Sequence, residues 1–273
     1  VPFSLADVTL IVHELWPLSG AEDWDAPGLV SGDPTHSVTS IHLAVDAVSA
    51  TVDEAVERGA DLLLVHHPLL LRGVTSVAED RYKGALLGRL IRADCALLAA
   101  HTNADVVVDG VSDILASRLG LLDTRPITAG VAPGTGIGRV GRLPERTSLD
   151  RLARRLADLL PATVSGVRVS GERDAVVETV ALCGGAGDSL LAHPSVVAAD
   201  VYITADLWHH PASEAREQAV HSGGTPALID VSHWASESLW LEPAAEQLRA
   251  ALPGITVTCS DLRTDPWDFV IVQ

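Results

Sequence analysis

The stretch Asp61-Leu62-Leu63-Leu64-Val65-His66-His67-Pro68 decides how this chain is read. Its apolar run is too short for a helix and reads as a fully buried strand. Pro68 has no N–H to give a ladder and disfavours helix at His67, so the strand stops there. Two side chains able to bind metal or carry protons are thereby held at the C-terminal end of a strand. In open α/β sheets that is where ligands bind.

Working back from this stretch, residues 50–58 predict a helix stopped by Gly59, and residues 38–46 a strand ending at Asp46. Residues 18–37, rich in Gly, Pro, Asp and Ser, predict an irregular surface segment. Within it, Trp24 is flanked by Asp23 and Asp25 just before Pro27-Gly28. Leu5, Val8, Ile11, Val12 and Leu15 predict an amphipathic helix over residues 4–16, closed by Pro17.

Working forward, residues 80–93 predict a helix and residues 95–100 a short strand that runs into His101-Thr102-Asn103-Ala104-Asp105. A helix over 111–119 closes at Gly120. Alternating strands and helices predict the α/β class, with right-handed crossovers and mainly parallel pairing. Pro126, Gly130, Pro133 and Gly134 mark residues 123–135 as the candidate linker to a second unit. That unit reads as strands at 136–143, 164–170, 176–183 and 200–204, with helices at 148–160 and 211–221, and a strand at 226–231 follows. A helix over 242–251 and strands at 255–259 and 268–272 close the chain. The two halves look alike in plan, each placing polar residues at strand ends.

Composition narrows the function. The 273 residues are 47% hydrophobic, ample for a core, and no apolar run or N-terminal pattern suggests a membrane span or signal peptide. The expectation is a cytoplasmic protein without membrane partners. A formal charge of -17, with Lys83 the one lysine, argues against nucleic-acid binding. Cys95, Cys183 and Cys259 are scattered, show no CxxC, and read as reduced, buried thiols.

Four strand ends carry candidate chemistry: His66 with His67, His101 with Asp105, Asp206 with His210, and His233 with Glu237. A single histidine at a strand end is ordinarily a satisfied core or surface residue. Several clusters at strand C-termini in one α/β chain argue for a site. A helix starting at Ser232 would put His233 and Glu237 on one face, within reach of one ion. Imidazoles with carboxylates and no thiolate suit Zn, Mn, Fe, Co or Ni. The run Cys183-Gly184-Gly185-Ala186-Gly187-Asp188 resembles a phosphate-cradling loop, but it matches neither GxGxxG nor the P-loop, and a tight strand-to-helix turn explains it as well. No GxSxG is present, so covalent catalysis is not supported.

Taken in order, residues 61–70 (DLLLVHHPLL), 101–105 (HTNAD), 109–113 (DGVSD), 183–187 (CGGAG), 204–210 and 230–237 (DVSHWASE), with Trp24-Asp25 and Gly28-Leu29 ahead of them, resemble the Nif-three-like dinuclear metal centre hexameric proteins, also called GTP cyclohydrolase 1 type 2 homologs. The resemblance spans essentially the whole chain. It implies two similar three-layer α/β lobes, the second inserted into the first: residues 1–125 and 223–273 for one, 126–222 for the other, with the metal site in the cleft between them. It implies His66, His67, Asp105, His233 and Glu237 as ligands. Such a set, with two carboxylates, suits two divalent ions per subunit better than one. It further implies a toroidal homohexamer. His210 and His101 match family histidines near the metals and are the candidates for moving protons. The family usually has Thr-Gly-Asp/Glu where this chain has Thr204-Ala205-Asp206, and Trp208-His209 replaces a commoner basic-aromatic pair.

The implied activity is metal-assisted hydrolysis, in which two cations lower the pKa of a bridging water and polarise the bond attacked. A small-molecule substrate of nucleotide or phosphoester type is expected. The alternative is a non-catalytic metal-binding hexamer acting as scaffold or regulator.

Overall fold

A computed structural model describes residues 2–272. The chain is α/β and divides into two compact units. One comprises the residues up to Ala104 together with Leu241–Thr264. The other comprises Asp105–Trp240 and the segment from Asp265 onward.

The first unit is built on a five-stranded sheet in the order Thr256–Cys259, Ser40–Ala44, Leu62–Val65, Ala96–Ala99, Gly28–Ser31. The first four strands are parallel, with Thr256 opposite Ser40, Ile41 opposite Leu62, and Leu62 opposite Ala96. Gly28–Ser31 adds antiparallel to Ala96–Ala99. All residues of Leu62–Val65 and Ala96–Ala99 are buried, as expected of strands covered on both faces. The helices Ser49–Glu57 and Tyr82–Arg92 carry Val52, Ala55, Leu86, Leu87 and Leu90 onto one side of these strands, against Leu63, Val65, Leu97 and Ala99. The helix Leu5–Leu15 starts at Ser4, whose hydroxyl accepts from the Asp7 amide at 3.2 Å while Asp7 accepts from the Ser4 amide at 2.9 Å.

The second unit has a mixed six-stranded sheet in the order Arg168–Ser170, Ala227–Val231, Val201–Ala205, Val176–Ala186, Arg139–Ser148, Leu122–Arg125. Its three inner neighbours, Val176–Ala186, Val201–Ala205 and Ala227–Val231, are parallel, and the outer pairings are antiparallel. The helix Leu149–Leu159 lays Leu149, Leu152 and Leu156 on a core shared with Val177, Val180, Leu182, Ile203 and Ile229.

The likeness between the halves extends to one detail. In each, an aspartate just ahead of a central strand ties down the start of the strand beside it. Asp61 accepts from the amides of Thr39 (2.7 Å) and Ser40 (2.9 Å); Asp200 accepts from those of Glu178 (2.9 Å) and Thr179 (2.7 Å). Burial alone would raise both carboxyls, but these hydrogen bonds outweigh it and hold both below the usual carboxylate range.

Three expectations need correction. Residues 123–135 are not simply a linker: Leu122–Arg125 is the edge strand of the second sheet, and Thr128–Ala129 pairs with Gly136–Ile137. The compact units divide at Asp105 and Trp240. Packing decides this, since the helix Val111–Arg118 contributes Leu115 and Ala116 to the core of the second unit. The segment 18–37 holds the strand Gly28–Ser31, too short and too one-sided in its burial to show a period. Residues 268–272 form no strand.

Candidate metal centre

In the first unit, parallel pairing continues past Val65, with the His66 amide bonded to the Ala44 carbonyl (3.1 Å) and the His67 amide to the Val45 carbonyl (2.9 Å). Both imidazoles are thus carried on backbone locked to the neighbouring chain. His66 is fully buried, and its Nδ1 lies 2.9 Å from the Ala100 carbonyl oxygen. A carbonyl only accepts, so Nδ1 carries the hydrogen and the ring's lone pair is on Nε2. His67 Nδ1 lies 2.7 Å from Asp46 Oδ1, and His101 Nδ1 lies 2.7 Å from Asp25 Oδ1.

The three rings cluster, with centroids 5.1 Å apart for His66 and His67, 5.2 Å for His66 and His101, and 5.5 Å for His67 and His101. One nitrogen from each falls within 4.8 Å of the others, a spacing that can hold a metal ion. Burial, reinforced by the neighbouring His66 ring, pushes His101 down to about 4, so it is neutral at neutral pH. Neutral imidazole is the ligand form.

The aspartates behind these rings are themselves anchored. The side chain of Asp25 is fully buried and also accepts from the amides of Thr102 (3.0 Å) and Ala26 (2.7 Å) and from the Thr102 hydroxyl. Asp46 accepts from the Thr264 hydroxyl through its other oxygen. Neither was assigned a role from the sequence. The available signal was position: Asp46 ends the strand beside the histidine pair, and Asp25 sits in the singled-out Trp24-Asp25 pair.

In the second unit, Ser232 caps a helix over His233–Ser238, its hydroxyl accepting from the Ala235 amide at 3.2 Å. The helix puts His233 and Glu237 on one face, as their spacing predicted, with His233 Nε2 2.9 Å from Glu237 Oε1. The other ring nitrogen, Nδ1, lies 2.8 Å from Asp206 Oδ2. Burial alone would lower the His233 imidazole, but Glu237 and Asp206 outweigh it and raise it to about 11. The two carboxylates favour positive charge on the ring between them. This donor set asks for positive charge at Nε2, which a metal ion can supply in place of the proton.

Gly185 makes the arrangement possible. It sits at φ +67°, and a Cβ there would collide with Glu237 Oε1 and lie 3.2 Å from His233 Nε2. The Gly184 and Gly185 amides donate to Ser112 Oγ (3.1 Å) and Ser236 Oγ (2.9 Å). The glycine run is therefore the floor under the His233–Glu237 pair. A phosphate-cradling loop needs those amides for its ligand.

Asp105 ends the short helix Thr102–Asp105, half-buried, with one carboxylate oxygen out of solvent. Asp206 lies just past Val201–Ala205 at φ +56°, a left-handed conformation that aspartate tolerates better than most residues. His210 is exposed on the first turn of the helix His209–His221, its ring 5.3 Å from that of His209. Among the described residues, His210 joins no cluster of metal-ligating atoms.

The chain is similar to known proteins in sequence and fold. A GTP cyclohydrolase 1 type 2 homolog of Streptomyces coelicolor is 45% identical over 270 residues, covering 96% of this chain and 93% of the relative. One of Clostridium perfringens is 29% identical, covering 97% and 99%. Among solved structures, a hypothetical protein of Staphylococcus aureus, SA1388, superposes with a TM-score of 0.88 at 27% identity, covering 99% of this chain and all of that one. The reduced HcgD of Methanocaldococcus jannaschii shares the fold, with a TM-score of 0.79 at 23% identity, covering 96% and 99%. With residues 3–266 matching its sequence pattern, this chain belongs to the Duf34/NIF3 (NGG1p interacting factor 3) family.

Proposed function

We propose that the chain binds two divalent metal ions and is a metal-dependent hydrolase acting on a nucleotide- or phosphoester-type substrate. The observation that carries this is the imidazole cluster in which His66 and His67 offer the ligand nitrogens and His101 stands beside them, with ring nitrogens within 4.8 Å of one another and each Nδ1 held by a carbonyl or a carboxylate. The proposed ligands are His66, His67, Asp105, His233 and Glu237. The His233–Glu237 pair, with its demand for positive charge, supports their inclusion. The name carried by the relatives, GTP cyclohydrolase 1 type 2 homolog, supports hydrolysis of a nucleotide.

Divalent cations supply Lewis acidity, lowering the pKa of water and polarising the bond attacked. The chain's own groups do the rest. Asp25, Asp46 and Asp206 aim the rings of His101, His67 and His233. His101, whose ring is aimed by Asp25, is proposed as a proton carrier, with His210 as a second. By the same family resemblance the chain is proposed to form a homohexamer.

Metal content after loading with each of Zn, Mn, Fe, Co and Ni, measured alongside particle mass by light scattering, tests the reading. Two ions per chain and six chains per particle are expected. His67→Ala and Glu237→Ala should abolish turnover while leaving assembly unchanged. Saturation at one ion or none sinks the dinuclear centre. Failure of every nucleotide, ester or ring substrate in a metal-supplemented screen sinks the hydrolase and leaves a metal-binding scaffold.

A further inference from the structure

The chain has six tryptophans, at 16, 24, 208, 234, 240 and 267. Trp16 and Trp240 are fully buried, whereas Trp24 is 59% exposed and Trp208 72% exposed. A large exposed aromatic is the informative exception on a protein surface. Trp267 is 63% exposed as well, but Trp24 and Trp208 differ from it in position. Trp24 is the chain neighbour of Asp25, which holds His101, and Trp208 stands two residues from Asp206, which holds His233.

Trp24 is the better defined. Its indole stands edge-on to the His101 ring, with centroids 5.8 Å apart and planes at 77°. The turn presenting it is pinned at both ends to the chain that carries His101. The Glu22 amide donates to Thr102 Oγ1 (3.0 Å) and the Asp25 amide to the Glu22 carbonyl (3.0 Å), while Asp25 accepts from His101 and Thr102. An indole on a mobile loop loses freedom when a ligand stacks on it. Here the turn that carries the indole is already fixed by these hydrogen bonds at Glu22 and Asp25, which favours binding. The edge-on contact with His101 sets the indole upright beside the imidazole cluster.

We propose that Trp24 is the stacking platform of a substrate subsite, and that the ligand it takes carries a planar heteroaromatic ring of nucleobase type. The inference rests on the metal-dependent hydrolase reading and narrows it: of nucleotide- and phosphoester-type substrates, those without a ring are disfavoured. Stacking on an aromatic side chain is tolerant of which base is offered, so purine and pteridine rings both fit the platform. Trp208 offers the second unit an aromatic of the same kind.

The test is calorimetric binding of guanosine, and of ribose 5-phosphate as a ringless control, to metal-loaded and metal-free protein. Wild type, Trp24→Ala and Trp24→Phe are compared, with metal content and particle mass read on every sample. Guanosine affinity is expected to fall about tenfold or more in Trp24→Ala and to stay near wild type in Trp24→Phe, with ribose 5-phosphate and metal content unaffected. Equal guanosine binding by wild type and Trp24→Ala overturns the proposal. So does absence of guanosine binding to wild type. A change of particle mass in Trp24→Ala without loss of guanosine binding overturns it too, and makes Trp24 a contact between chains. Failure to take up metal sinks the hydrolase reading instead, and Trp24-dependent binding to the metal-free protein then still shows the platform.

Discussion

At the residue scale, each histidine of the candidate centre is paired with a group that dictates which nitrogen faces outward. Ala100 does this for His66, Asp46 for His67, Asp25 for His101 and Asp206 for His233. Such partners fix the tautomer and raise ligand basicity. Asp46→Ala should therefore weaken divalent metal binding about 10- to 100-fold, read by competition with a chromogenic chelator without reference to activity. Unchanged affinity would mean that Asp46 only packs. The histidine pair was legible because two imidazoles follow one another at a strand end. Asp46 was not, because its bond to His67 spans 21 positions and exists only when two strands lie side by side. Cys95 and Cys183 are buried as read, whereas Cys259 is only half-buried; burial pushes the Cys95 thiol up to about 11, so it is an inert core group at neutral pH.

At the element scale, strands that are apolar throughout were read nearly to the residue, since Leu62–Val65 lies between Gly59 and Pro68 and Ala96–Ala99 between Asp94 and the polar run from His101. Of the edge strands, Thr256–Cys259 was read at 255–259 and Arg168–Ser170 was drawn too long, whereas Gly28–Ser31 and Leu122–Arg125 were missed. Leu122–Arg125 is exposed throughout, so nothing in its sequence distinguishes it from a loop. Burial on the strand Ser40–Ala44 hid a titratable group. His42 is fully buried, with Nδ1 2.8 Å from Thr258 Oγ1 and Nε2 3.1 Å from Glu54 Oε2. Burial lowers its pKa despite the opposing pull of Glu54; Arg58 lowers it further and Asp261 raises it. The unfolded chain then binds the proton more readily than the folded one. Stability is accordingly full above the ordinary histidine value of about 6.5 and declines as pH falls through it towards the depressed folded value. His42→Gln should flatten that decline, measured as denaturation midpoints at pH 7.0 and 5.5. A slope equal to wild type would place the acid sensitivity elsewhere.

At the scale of the whole molecule, the resemblance read from the sequence led to the right family and the right class of fold. Where the compact units divide depends on which helix joins which core, and Val111–Arg118 joins that of the second. No helix among the described residues is long and apolar enough to cross a membrane. The segment Leu241–Thr264 belongs to the first unit, although all of the second unit up to Trp240 precedes it in the chain. Its strand Thr256–Cys259 closes the edge along Ser40–Ala44, Thr258 reaches His42, Ser260 bonds Glu54 at 2.5 Å and Thr264 bonds Asp46. A chain ended at Trp240 should lose protection from limited proteolysis around residues 38–65, mapped by mass spectrometry of the fragments. Protection equal to full length would show that the first unit stands without its returning segment.

That returning strand also sets an order of events on the ribosome. When Ser40–Ala44 emerges, its partner on one side is still more than two hundred codons away. At about 5–20 residues per second, roughly 10 to 40 s of translation pass before Thr256–Cys259 exists. Throughout that interval the nascent sheet presents an open apolar edge at Ile41 and Leu43, which is the kind of surface chaperones bind. Codon usage and chaperone access over the second unit thus bear on the yield of the first.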